Sequence, residues 1–148
     1  MENENKRVGG YVAVNGLELY YEVHGTGEPL ILLHGGFGMG SMFAGILSQL
    51  SQTQQVITVD LQGHGRTADI DRPLRYELMA DDVAALIRHL GLGQVNVMGY
   101  SLGGGVALRT AIQHPDVVKK LVTVSAPFKR DAWYPEVLTG MGQMGREV

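Results

Sequence analysis

Apolar positions along this chain come in two rhythms: short continuous runs, and longer stretches in which they recur every three or four residues. Apolar and aromatic residues at 11–14 and 17–22 flank Asn15-Gly16. Asn-Gly between two such runs predicts a tight hairpin, because both turn positions call for positive φ. Leu30-Ile31-Leu32-Leu33 is wholly apolar, as expected of a strand covered on both faces. A helix is predicted over 41–50, where Met42, Phe43, Ile46, Leu47 and Leu50 share a face, and a strand over 56–59. The clearest helical period covers 75–90. There Met79, Val83, Leu86, Ile87 and Leu90 form one stripe, with Asp81, Asp82 and Arg88 read as its solvated opposite face. A strand over 94–98, a helix over 104–114 stopped by Pro115, and a strand over 120–124 complete the pattern. Strands alternating with helices predict an α/β fold, a mostly parallel sheet with helices on both faces. The pattern fades after Pro127: 128–135 mixes polar and aromatic residues, and 139–146 offers little to hold a helix or strand by itself. The ordered core is therefore read as 1–126, with 127–148 as a separate segment expected to be irregular or disordered.

Two glycine-rich turns carry candidate chemistry. Gly99-Tyr100-Ser101-Leu102-Gly103 lies between a predicted strand and a predicted helix, the arrangement of a nucleophile elbow. Glycines at its flanks let two backbone segments pass closely, and the serine is left strained with its hydroxyl toward solvent. A tight turn with a helix-capping serine satisfies the same five residues. The second turn, His34-Gly35-Gly36-Phe37-Gly38, follows the apolar strand. Acyl transfer at a serine needs donors aimed at a developing oxyanion. The N–H of Leu102, at a helix start, and the N–H of Gly36, from the other loop, are the candidates. Phe37 and Tyr100 flank these positions and are candidate walls of a substrate pocket. His34 and His64 are read as loop-shaping and Asp60 as a residue tying down its own turn.

Three signatures occur in one order: His34-Gly35-Gly36-Phe37-Gly38, Asp60-Leu61-Gln62-Gly63-His64-Gly65-Arg66-Thr67, and Gly99-Tyr100-Ser101-Leu102-Gly103-Gly104. In these the chain resembles the N-terminal half of α/β-hydrolase fold proteins of the esterase, lipase and peptidase kind, over 11–127. The resemblance implies that Ser101 is the nucleophile and that Leu102 and Gly36 supply the oxyanion amides. It implies an ester or related acyl substrate, a small molecule, with no metal or cofactor. It also calls for an acid after a later strand, which some members place where Asp131 stands, and a histidine after the last one, whereas no histidine follows His114. The implied core is thus cut after about its sixth strand, with a lid starting within 127–148. The chain alone is expected to be inactive. An alternative is an inactive product acting by association, with the strand at 120–124 as an open edge for a second copy or for aggregation. A less favoured alternative is a dinucleotide site: glycines at 36, 38 and 40 after a strand, then Asp60 ending the next one. Its third glycine or alanine, due at 41, is missing, since Ser41 stands there.

Composition narrows the class further. A length of 148 residues is one domain's worth, and a net charge of −3 with mixed signs provides no basic face for nucleic acid. No apolar run is long enough for a membrane span, and Met1 to Arg7 is polar, so a cytoplasmic protein is expected. The absence of cysteine excludes disulfides, zinc–thiolate sites and a thiol nucleophile.

Overall fold

Asn15 and Gly16 both have positive φ, 49° and 81°, in the computed structural model, which describes residues 8–143. Their turn joins β1 (Val8–Val14) to β2 (Leu17–His24) in an antiparallel ladder that pairs Val14 with Leu17. Then follow β3 (Glu28–Leu33), a 3₁₀ turn (Gly40–Phe43) leading into α1 (Ala44–Leu50), and β4 (Gln54–Asp60). Next come α2 (Tyr76–His89), β5 (Val95–Tyr100), α3 (Leu102–Gln113), β6 (Val118–Val124) and α4 (Pro135–Gln143). The strands form one six-stranded sheet in the order β1-β2-β4-β3-β5-β6, parallel from β4 to β6 and antiparallel at the β1 and β2 end. The expected α/β class holds. The expected readings at Met1 to Arg7 and at 144–146 lie outside the described residues.

Strand alternation divides the apolar residues between two layers. Ile31 and Leu33 of β3 pack with Met79, Val83, Leu86 and Ile87 of α2 and with Val106 and Ala107 of α3. Leu30 and Leu32 face the other way, against Phe43, Leu47 and Leu50. The helices thus cover both faces, which explains why β3 reads as an uninterrupted apolar run.

Three expectations need correction. The face predicted for 41–50 is only partly covered: Phe43 is buried, but Met42 is 46% and Ile46 39% exposed. The first turn is 3₁₀ rather than α, and its three residues per turn put Met42 and Ile46 out of phase with Phe43 and Leu47. Asp82 is not on a solvated face; it is 1% exposed. Its carboxylate takes a two-pronged ion pair from Arg72 (3.1 and 2.6 Å) and a hydrogen bond from the Asn15 amide (3.0 Å). Burial of that charge is possible because the hairpin turn and the loop after β4 bring both donors to it. Finally, 139–143 is not irregular. Pro135 starts α4 with its φ preset, Glu136 sits in the first turn, and the Thr139 hydroxyl donates to the Pro135 carbonyl (3.0 Å).

The parallel strands end together at one edge. Val59, Leu33, Gly99 and Thr123 are register partners across β4, β3, β5 and β6, so the loops that follow these strands emerge side by side. In open α/β sheets this carboxyl edge is where ligands bind.

Candidate active site

Ser101 follows β5 with φ 52° and ψ −115°, far from the left-handed well that non-glycine residues can reach at moderate cost. The turn is held by three close approaches. A Cβ on Gly99 would lie 2.0 Å from the Gly103 carbonyl oxygen, and one on Gly103 would lie 2.2 Å from that of Leu33. The Ser101 N–H donates to the Val124 carbonyl at the end of β6 (2.9 Å). Both flanking glycines are therefore required by the crossing of α3 over β5 and β3, as the sequence pattern implies. The Ser101 side chain makes no capping hydrogen bond to α3, which removes the bland reading of a capping serine. The first amides of α3, that of Leu102 included, have no carbonyl partner within the helix and lie at the positive end of its dipole.

The loop after β3 is brought against this turn. A Cβ on Gly35 would be 2.9 Å from the Tyr100 ring and 3.5 Å from the Ser101 Cβ. One on Gly36 would meet only the Leu102 Cβ, at 4.0 Å. Gly36, Ser101 and Leu102 line one cleft of about 670 Å³, together with Phe37, which is 91% exposed. Tyr100 is not among the residues lining it; its ring is turned against Gly35 instead. Sequence reasoning missed Leu74, Tyr76, Trp133 and Met141, which also line the cleft. Tyr76 opens α2 and Met141 lies in α4, while Leu74 and Trp133 sit in connecting loops, so no shared local pattern marks the four.

The loop is fixed by the residues read as loop-shaping. His34 is fully buried; its Nε2 accepts the Leu61 N–H (3.0 Å), so the ring is neutral with Nδ1–H directed at the Gly35 carbonyl (2.7 Å). Burial holds its pKa below the ordinary imidazole value. Asp60 accepts the Gly40 N–H (2.6 Å) on one oxygen and the Arg66 N–H (2.9 Å) on the other, tying the loop after β3 to the loop after β4. Both oxygens of the carboxylate that a dinucleotide site would turn to a ribose already accept a backbone N–H. His64 donates Nδ1–H to the Gln62 carbonyl (2.8 Å), lies 5.0 Å from the His34 ring and lines the Ser101 cleft. Asp131 is exposed and paired with Lys129 (3.1 Å), and is not among the residues lining the cleft. Among the described residues no cluster could hold a metal ion, and no helix is long and apolar enough to cross a membrane. The half-buried Ser101, at the start of α3, thus shares one cleft with a loop that leaves open space at Gly36, an arrangement in which a hydroxyl and helix-start amides can meet one carbonyl.

Comparison with known proteins agrees with this fold. Residues 28–146 match the model of the alpha/beta hydrolase fold family. The chain is 37% identical over 131 residues to the pimeloyl-[acyl-carrier protein] methyl ester esterase of Aeromonas hydrophila, covering 83% of this chain and 50% of that protein. It is 36% identical over 113 residues to the sn-1-specific diacylglycerol lipase ABHD11 of Danio rerio, covering 73% of this chain and 35% of that one. Among solved structures, a marine microorganism esterase superposes with a TM-score of 0.77 at 40% identity, over 84% of this chain and 48% of the esterase. The esterase EaEST of Exiguobacterium antarcticum gives 0.83 at 30% identity, over 95% and 57%. The chain spans about half the length, or less, of the curated relatives it matches. The strained serine turn, the glycine loop packed against it and the match across most of the sequence lead to one assignment: the chain belongs to the alpha/beta hydrolase fold family.

Proposed function

We propose that this chain carries the nucleophile half of a serine hydrolase acting on an ester or related acyl compound. Ser101 Oγ attacks the acyl carbon, and the oxyanion that forms is held by the N–H groups of Leu102 and Gly36. Loss of the leaving group gives an acyl-enzyme on Ser101, which water then hydrolyses. The observation that supports this best is the Ser101 backbone. At φ 52° and ψ −115°, without a capping bond, the residue bears a strain that gives nothing to the helix it precedes. Two relatives named as esterases, at 37% and 40% identity, support ester hydrolysis in particular.

This reading takes the base and the acid to lie outside the described residues. His34 has both ring nitrogens engaged, and His64 is oriented by a backbone carbonyl rather than by a carboxylate. Losing the base of a serine hydrolase costs roughly 10⁶ in turnover, so the 148-residue chain by itself is inactive toward esters. The test is to fuse the chain to the C-terminal half of the marine microorganism esterase and to assay p-nitrophenyl esters. A fusion that folds, by circular dichroism, should hydrolyse them and lose that activity in Ser101→Ala. Turnover that persists in Ser101→Ala, or a folded fusion with none, refutes the assignment.

A further inference from the structure

Two spaces adjoin the Ser101 cleft. One, of about 460 Å³, meets it at Tyr76, Trp133 and Met141 and is bordered by Arg109 and Lys129. The other, of about 430 Å³, meets it at His64, Leu74, Tyr76 and Leu102 and is bordered by Arg75, Glu77 and Met79. Both offer apolar surface, so charge is what tells them apart. Arg109 is paired with Glu77 (3.5 Å) and Lys129 with Asp131 (3.1 Å). Arg75 is the cation left over: among the described residues its guanidinium has neither a carboxylate nor a hydrogen-bond acceptor.

Arg75 costs stability where it stands. It immediately precedes α2, with extended φ −129° and ψ 142°, and its carbonyl accepts the Met79 N–H (3.0 Å), the first bond of the helix. That position favours a side-chain oxygen, which accepts one of the open amides of the first turn. Arginine has only donors and makes no such bond, and its charge lies at the positive end of the helix dipole. Local rules are broken in this way where a residue serves something other than the fold. An exposed arginine that caps nothing, pairs with nothing and borders a space opening onto Leu102, next to the nucleophile, is placed for an anion that arrives with the substrate.

We propose that the substrate is an ester carrying a carboxylate at its far end, with the ester group at Ser101 and the carboxylate on the Arg75 guanidinium. This rests on the reading of Ser101 as the acyl-accepting residue. The guanidinium fork matches a carboxylate edge through two parallel N–H···O bonds. A lone cation answers a single negative charge, whereas a phosphate dianion would be left half neutralised. Glu77, on the same space, is already held by Arg109 and disfavours a second negative group. Leu74, Met79 and Leu102 supply apolar cover for the methylenes between the two ends.

The Ser101→Ala chain, which cannot be acylated, is titrated calorimetrically with monomethyl succinate, adipate and suberate, each against its neutral dimethyl ester. At one length or more the acid should bind about tenfold more tightly than the diester at low salt. Arg75→Gln should bring that ratio close to one, and Arg75→Lys should keep part of it. Arg75→Ser, which supplies the missing cap, should remove the preference and move the urea midpoint up by about 0.3–0.5 M. Equal affinities at every length overturn the proposal, as does a preference for the acid that survives Arg75→Gln, or no binding of any acid up to about 20 mM. A lower urea midpoint in Arg75→Ser overturns it too, since Arg75 would then be holding α2. Hexyl phosphate that gains more from Arg75 than the acids do overturns the choice of carboxylate. Failure of the hydrolase reading shows separately, as absent Ser101-dependent turnover in the fusion.

Discussion

Replacing Ser101 by glycine should make the chain more stable. At φ 52° and ψ −115° the residue occupies backbone space closed to L side chains, which costs about 1–3 kcal/mol where a fold enforces it. Glycine reaches the same angles without that cost but raises the entropy of the unfolded chain, worth about 0.5–1 kcal/mol against it. No capping hydrogen bond is lost, because the hydroxyl makes none to α3. The net gain is about 1 kcal/mol. Ser101→Ala is the control: it removes the same hydroxyl but keeps a Cβ, hence the strain, and should stay within about 0.5 kcal/mol of the native chain. Urea unfolding followed by circular dichroism separates the two. With a slope of roughly 2 kcal/mol per molar, Ser101→Gly should unfold about 0.5 M later than Ser101→Ala. A glycine variant that unfolds at or before the alanine variant refutes the claim that this turn stores strain. The argument that such strain is kept for chemistry would fall with it.

The buried ion pair gives a second expectation: Asp82→Leu strands the Arg72 guanidinium and should cost about 3–5 kcal/mol, most of it recovered in Asp82→Leu with Arg72→Met. A double-mutant cycle with a coupling below about 1 kcal/mol would show the pair to be incidental. His34, with its pKa held down by burial, binds fewer protons folded than unfolded just below the ordinary imidazole value of about 6.5. Stability should therefore rise with pH through that window and gain nothing further above it, a slope that His34→Gln flattens; equal slopes in the two melting series would contradict this. Gly36→Val has room and should fold normally, yet its side chain enters beside Leu102 Cβ, so turnover of an active fusion should fall about 10²–10³-fold. Unchanged turnover removes Gly36 from the oxyanion site. The outer edge of β6, with Val122 and Val124 exposed, is proposed to pair with a second copy or to aggregate. Sedimentation of the chain as a clean monomer at micromolar concentration argues against that.

The elements of this protein were legible in its sequence because each rests on local chemistry. Asn15-Gly16 sets its turn by positive φ, the apolar run of β3 by burial on both faces, the stripe of α2 by helical period, and the serine turn by glycines that nothing larger can replace. The companion loop at Gly36 was legible through its order after a strand. Other features depend on which elements arrive from elsewhere. Asp82 looks like a solvated residue on any helical wheel; only the return of Asn15 and Arg72 over that face makes it a buried ion-pair partner. Tyr100 is next to the nucleophile candidate in sequence, yet its ring goes against Gly35, while Leu74, Tyr76, Trp133 and Met141, scattered along the chain, line the cleft. Local pattern fixes conformation through sterics and periodicity, which act over a few residues. The composition of a cleft is set by how parallel strands end together and which loops fold over that edge, and those are long-range contacts that periodicity does not record.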